Sequence, residues 1–327
     1  MHKAGFLLLL LLSFWGSKKA LCAHRLGLRN IHNGKIINID PDPYGDFTTI
    51  TVPIKRTGSL IIIEAQLDTM IGNFILDTGA PGLILNETYF RNFPHIGDKE
   101  SGGINGQTEH AFSTVVRNFS ILDLHYDRIT ADVTDLSRIE NRKGIKILGL
   151  LGTRLFAKLA ITIDLFNNVL YIHKLDEKGE IAQNERVFNK PDMKTSFKLL
   201  NDVIFIKGSI EDNNLWFTFD TGAECNLLDY DNFKKIAKRM RVLNQSALTG
   251  VDGHVNPTNY AVFDKLVIGN YLFTHNRILL ARLDHMGYAY GNTMDAILGY
   301  DFFARGIFTI NFVKKELEMY IYTYEDK

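Results

Sequence analysis

Asp77 and Asp220 each open an Asp-Thr-Gly-Ala stretch, and each stretch interrupts an apolar run: "FILDTGAPGLIL" from Phe74 and "FTFDTGAECNLL" from Phe217. An ionised carboxylate cut off from water is costly, so an aspartate set between two strand-like runs needs compensation. A second carboxylate can supply it. Two carboxylates within hydrogen-bond distance cannot both ionise; they hold one proton between them, and one then serves as base while the other serves as acid. Such a pair can take a proton from water while polarising a carbonyl oxygen, which is direct hydrolysis without a covalent intermediate or a metal. The neighbouring types suit this chemistry. Thr78 and Thr221 offer hydroxyls that can bond to the opposite loop, and Gly79 and Gly222 permit a tight backbone whose N–H groups approach the carboxylates.

Something must bring the aspartates together, and the sequence shows what. "IEAQLDTMIGNFILDTGAPG" from Ile63 lies on "IKGSIEDNNLWFTFDTGAEC" from Ile206 at a constant offset of 143 residues. "GINGQ" from Gly103 lies on "GVDGH" from Gly250, and "LGTRLFAKLAITIDLF" from Leu151 on "LGYDFFARGIFTINFV" from Leu298, both at an offset of 147. The chain is read as a duplicated unit with one short loop difference. If the copies pack about a pseudo-twofold axis, the two Asp-Thr-Gly loops meet on it.

The elements of each copy read as strands. "TITVPI", "SLIIIEAQL", "NFILD", "AFSTVV", "ITADVTDL", "AITIDL" and "VLYIHK" are short, β-branched and punctuated by Gly, Asn or Asp; "VIFIKGSI", "WFTFD", "YAVFDKLVIG", "NRILLARL", "IFTINF" and "ELEMYIY" follow in the second copy. One helix is expected over 231–242, with Phe233, Ile236, Ala237 and Met240 on its apolar face, Asp231 at its start and a solvated basic face opposite. The fold class is therefore all-β and bilobal, two duplicated barrel-like lobes with few short helices. The expected organisation is a signal peptide over 1–23, an N-terminal segment over 24–58, a first lobe over 59–180, a linker over 181–196 and a second lobe over 197–327. The segment 24–58 reads either as a removable pro-segment or as a strand joining a sheet shared by both lobes.

At 327 residues and 46% hydrophobic content the chain can build a core in each lobe. Lys plus Arg equals Asp plus Glu at 37 each, so no net field draws nucleic acid or an anionic membrane. The apolar run from Phe6 to Trp15 is about half the ~20 residues that a spanning helix needs, and it reads as a secretion signal cleaved after Ala23. Export to the periplasm or the medium is expected, with lipid modification at Cys22 as the alternative. Cleavage there would leave Cys225 as the one remaining thiol, so no internal disulfide is expected.

On these residues the chain resembles the pepsin and retropepsin-like aspartic protease superfamily. The two Asp-Thr-Gly-Ala stretches match its catalytic loop, and "GLLGTRLF" (149–156) and "AILGYDFF" (296–303) match its second hydrophobic-hydrophobic-Gly pattern. The resemblance covers roughly 59–174 and 197–322. It implies an aspartic endopeptidase with Asp77 and Asp220 as catalytic pair, loop support from Thr78, Gly79, Thr221 and Gly222, and Gly152 and Gly299 packed beneath the loops. Both lobes in one chain imply a monomer acting on a peptide or protein. The family's flaps would correspond to Gly103, Ile104, Asn105 and Gly106 and to Gly250, Val251, Asp252 and Gly253, which read equally as tight turns. Ala80 and Ala223 stand where pepsins carry a hydroxyl, which leaves the pair more basic and sets the expected activity at weakly acidic to neutral pH. The alternative reading is a non-catalytic envelope protein that holds an extended peptide in the interlobe cleft.

Other constellations carry less. The ten histidines form no His-Glu-x-x-His and no Cys pairing, so neither metal nor cofactor is expected. "LGLLG" and "GGING" lack the lysine and strand-helix context of a phosphate loop. Asp123, Asp164 and Asp264 read as turn or structural residues, and Cys225 as a buried small hydrophobe.

Overall fold

The computed structural model describes residues 6–8, 13–15, 41–102, 108–249, 255–283 and 294–322. In chain order the first half carries β1 (Phe6–Leu8), β2 (Ser13–Trp15), β3 (Thr49–Thr57), β4 (Leu60–Leu67), β5 (Met70–Leu76), β6 (Leu83–Asn86), helix α1 (Glu87–Phe90), β7 (Gly97–Gly102), β8 (Thr108–Ile121), β9 (Leu124–Thr134), helix α2 (Ser137–Lys143), β10 (Gly149–Leu151), β11 (Ala160–Asp164) and β12 (Val169–His173). The second half carries β13 (Met193–Leu200), β14 (Val203–Ile210), β15 (Asn213–Phe219), β16 (Leu227–Asp229), α3 (Tyr230–Ile236), β17 (Arg241–Thr249), β18 (Val255–Phe263), β19 (Leu266–Ile268), β20 (Tyr271–Phe273), β21 (Asn276–Ala281), β22 (Ala296–Leu298), α4 (Tyr300–Phe303), β23 (Gly306–Asn311) and β24 (Glu316–Ile321). The molecule is all-β with a few short helices, as its strand-rich sequence implies.

Each lobe is built the same way. A hairpin leads into the strand that ends at the aspartate: β4 with β5 in the first lobe, β14 with β15 in the second. The turns suit their residues, since Asp68 in one hairpin and Glu211 and Asp212 in the other adopt positive φ, which tight hairpin turns require. After the aspartate the chain crosses over and returns on the far side of a third strand. In the first lobe β10 lies parallel to β5 and antiparallel to β6; in the second β22 lies parallel to β15 and antiparallel to β16. Gly149 is dictated by this crossing, because a methyl group on it would sit 2.0 Å from the Ile84 carbonyl oxygen.

An antiparallel sheet joins the lobes in the order β3–β12–β11–β23–β24–β13. At its centre Thr162 of β11 faces Thr309 of β23, and their hydroxyls bond at 2.8 Å. The main apolar core runs from Ile50 of β3 through both lobes to Met319 of β24, and a smaller cluster lies in each lobe. β1 pairs parallel with β17, and β2 pairs antiparallel with β7.

Three expectations are corrected here. The helix expected over 231–242 is α3 alone, from Tyr230 to Ile236, followed by a 3-10 turn over Ala237–Arg239. Its cap is Asp229, which accepts from the N–H groups of Asp231 and Asn232, not Asp231. Arg241 and Val242 are drawn into the ladder with β18, and this ends the helical run. The run "YAVFDKLVIG" is two strands, because the Glu211 carboxylate accepts from the N–H groups of Asp264 and Lys265 and bends the chain so that β19 pairs with β14. Met193–Ser196, expected in the linker, already pair with β24.

Candidate active site

The site starts at the ends of β5 and β15, whose last residues are fully buried. The Asp77 N–H bonds the Leu151 carbonyl at 3.0 Å and the Asp220 N–H bonds the Leu298 carbonyl at 3.0 Å, so each loop leaves its sheet pinned to the strand beside it. Beneath the loops lie Gly152 and Gly299. A methyl group on Gly152 would come within 2.5 Å of backbone atoms of Ala80 and Gly82, and one on Gly299 within 2.2 Å of the Cys225 carbonyl oxygen. The chain can pass this close only with hydrogen as side chain.

The two loops then grip one another. Thr78 Oγ1 accepts from the Thr221 N–H at 3.0 Å and donates to the Phe219 carbonyl at 2.8 Å. Thr221 Oγ1 accepts from the Thr78 N–H at 3.0 Å and donates to the Leu76 carbonyl at 2.8 Å. Four hydrogen bonds related by the local twofold thus tie the residues before and after each aspartate to the other lobe. All four lie in the buried interior, where loss of one partner strands the other.

Asp77 and Asp220 meet across this grip. Both are fully buried, and their carboxylates are within hydrogen-bonding range of one another. A methyl group on Gly79 would sit 2.7 Å from Cγ of Asp220, and one on Gly222 2.7 Å from Cγ of Asp77, so each loop's glycine makes room for the opposite carboxylate. The inner oxygens are held by backbone: the Gly79 N–H donates to Asp77 Oδ1 at 2.9 Å and the Gly222 N–H to Asp220 Oδ1 at 2.8 Å. The outer oxygens, Asp77 Oδ2 and Asp220 Oδ2, are buried and receive no protein donor among the described residues. Two bare carboxylate oxygens cannot bond each other, but one proton on either makes it a donor.

The electrostatics follow from this geometry. Burial pushes the Asp77 carboxyl well above the usual carboxylate range, and the charge and hydrogen bond of Asp220 push the same way against the N–H groups of Gly79 and Ala80. Burial raises Asp220 as well, while bonds from Asp77 and from the N–H groups of Gly222, Ala223 and Gly79 oppose it. Both carboxyls are thus moved toward neutral pH, and they titrate as a pair.

The remaining expected residues fall as follows. Gly103 to Gly106 and Gly250 to Gly253, expected as flaps, lie outside the described residues; the strands they connect, β7 with β8 and β17 with β18, pair antiparallel up to Gly102↔Thr108 and Thr249↔Val255. Cys225 is buried and burial pushes its thiol up, which suits packing better than nucleophilic work. Asp164 accepts from the N–H groups of Phe166 and Asn167 and shapes the β11–β12 turn.

Contacts between the lobes were not foreseen. Lys143 at the end of α2 bonds Glu224 in the second loop at 2.6 Å, Arg154 bonds Asp202 at 2.6 Å, and Arg56 bonds the Tyr300 hydroxyl. Also missed were Asn86, whose amide bonds the Ile147 carbonyl and receives the Leu136 N–H, and Asp229, which receives the N–H groups of Asp231 and Leu283. These two occupy the same place in the repeat, so the alignment of the copies held a signal for them.

Comparison with known proteins agrees with this geometry. Residues 206–302, which include Asp220 to Gly222 and Gly299, match the family model described as aspartyl protease. No curated protein matches the chain in sequence. Among solved structures, the aspartic proteinase from Irpex lacteus is similar at a TM-score of 0.50 and 13% identity, over 84% of this chain and 98% of that one. Basic 7S globulin from soybean is similar at a TM-score of 0.46 and 11% identity, over 83% of this chain and 94% of that one. At such identity the first of these shows the fold. The second half of the chain thus matches the aspartyl protease family over 206–302, the same Asp-Thr-Gly-Ala loop is repeated in the first half, and the fold around both loops is that of a pepsin-like aspartic proteinase.

Proposed function

We propose that the protein is an aspartic-type endopeptidase, exported from the cytosol and active as a monomer, that hydrolyses peptide bonds with a water molecule activated between Asp77 and Asp220. The observation that supports this best is the reciprocal packing of each carboxylate against the other loop's glycine, with both outer oxygens buried and without a protein donor among the described residues. In the working pair one carboxyl holds the shared proton. The ionised partner takes a proton from water as its oxygen attacks the carbonyl carbon, and the held proton passes to the carbonyl oxygen. The carboxyl that took the proton from water then gives it to the amide nitrogen, the C–N bond breaks as a hydroxyl of the tetrahedral intermediate returns its proton to the other carboxylate, and the pair is back at its starting protonation. Backbone N–H groups on the inner oxygens keep the pair in place throughout.

A panel of unstructured peptides incubated with the wild type and with Asp77→Asn tests the reading. Cleavage by the wild type, with kcat lowered roughly 10²–10⁴-fold in the variant, is the expected result. Peptide bound but uncut by both proteins would replace it with a binding role. The assay is run on the chain from residue 24 and again on a chain trimmed through Pro43, so that a blocking segment is recognised.

A further inference from the structure

We propose that Lys143 and Glu224 are positioning residues: an ion pair across the lobes that holds the second Asp-Thr-Gly loop, and with it Asp220, in line with Asp77. The inference rests on the peptidase reading above. Glu224 belongs to that loop, directly after Ala223, whose N–H bonds the Asp220 carbonyl. Its side chain nevertheless reaches the other lobe, where Lys143 Nζ donates to it at 2.6 Å. Both side chains are nearly sealed from solvent, at 13% and 8% exposure, so neither charge can turn to water when the other is removed.

The anchor on the first lobe is rigid. Lys143 is the last residue of α2, and Gly144 closes the helix with a left-handed turn that bonds back to Glu140. Asn86 holds the same helix at two points, receiving the Leu136 N–H and donating to the Glu140 carboxylate, and the Tyr89 hydroxyl also donates to Glu140. Gly58, at the β3–β4 turn, lies over the pair: a methyl group there would be 3.5 Å from Lys143 Nζ and 3.6 Å from Glu224 Oε2. The tether is one-sided. The residue matching Glu224 in the first loop is Pro81, whose carbonyl receives the Arg154 N–H from its own lobe. Breaking the pair should therefore shift Asp220 and leave Asp77 in place.

The test uses the whole protein with Lys143→Met, Glu224→Gln, the charge-swapped double variant Lys143→Glu/Glu224→Lys, and Lys234→Ala as a control at an exposed ion pair. Each single variant should lose kcat by about 100-fold, the scale of a 1 Å misplacement, with KM within about threefold of wild type. The swapped pair should regain most of the loss, and the control should change nothing. Amide hydrogen exchange at Thr78 and Thr221 is read in parallel, and it should quicken at least about tenfold in the single variants while the thermal midpoint stays above the assay temperature. Wild-type kcat in both single variants would overturn the proposal, as would a loss that the swap does not repair. If the wild type cleaves no peptide, the exchange readout decides alone: faster exchange restored by the swap upholds the positioning role even though the peptidase reading has failed, and unchanged exchange overturns it.

Discussion

At the scale of single residues, the threonine after each aspartate does more than its size suggests. Thr78 both receives the Thr221 N–H and donates to the Phe219 carbonyl, and these groups are buried. Thr78→Val keeps the shape and removes both bonds, leaving a donor and an acceptor in the interior without a partner. Each stranded group costs about 1–3 kcal/mol, so the variant should lose roughly 2–6 kcal/mol of unfolding free energy by urea titration. Thr78→Ser keeps the hydroxyl and should lie within about 1 kcal/mol of wild type. Thr221→Val should cost the same by symmetry, and the double variant less than the sum, because both threonines serve one grip. A valine variant as stable as the serine variant would mean that the grip is not what joins the loops.

At the scale of elements, the crossing of β5, β10 and β6 leaves no room for a side chain at Gly149 within it or at Gly152 just after it. Gly152→Ala would place a methyl group within 2.5 Å of the Ala80 carbonyl oxygen and of the N and O atoms of Gly82, all of them backbone. The loop carrying Asp77 must then move, at a cost of about 1–3 kcal/mol, and the peptide cleavage proposed for the pair should vanish before the fold does. Gly82→Ala, whose added methyl group would meet nothing within 4 Å, should shift the thermal midpoint by only a few degrees. The paired Asp-Thr-Gly loops and the glycines packed beneath them were legible in the sequence because the information is local: four residues, an apolar flank, and a repeat at fixed offset. What was not legible depends on distant partners. The end of α3 is decided by the pairing of Arg241 with Val262, and the break between β18 and β19 by a carboxylate on Glu211. Lys143 and Glu224 lie 81 residues apart, and a single lysine and a single glutamate leave no pattern to read.

At the scale of the whole molecule, the interlobe sheet carries a buried histidine that makes stability depend on pH in a way opposite to the paired aspartates. His173 of β12 is fully buried, with Nδ1 at 2.9 Å from the Thr49 hydroxyl and Nε2 at 3.0 Å from that of Thr162, which in turn meets Thr309 of the other lobe. Burial lowers its pKa to about 4; the Glu185 charge acts against this and the Arg186 charge with it. The unfolded chain titrates this histidine near 6.5, so between pH 6.5 and 4 it binds a proton that the folded protein does not. Stability must then fall as pH falls through that window, by about 3 kcal/mol in all. Asp77 and Asp220, raised by burial, have the opposite sign: their term is most favourable below the unfolded carboxylate pKa and is lost as pH rises through the raised folded values. The two terms partly cancel in the wild type, and single substitutions separate them. His173→Gln removes one, so its stability deficit relative to wild type, measured by urea unfolding, should be largest at pH 7 and narrow by about 3 kcal/mol at pH 4. Asp77→Asn removes part of the other, so its stability relative to wild type should improve as pH rises toward neutrality. A His173→Gln deficit that stays constant from pH 7 to pH 4 would show that the histidine holds the same charge in both states and that acid lability arises elsewhere.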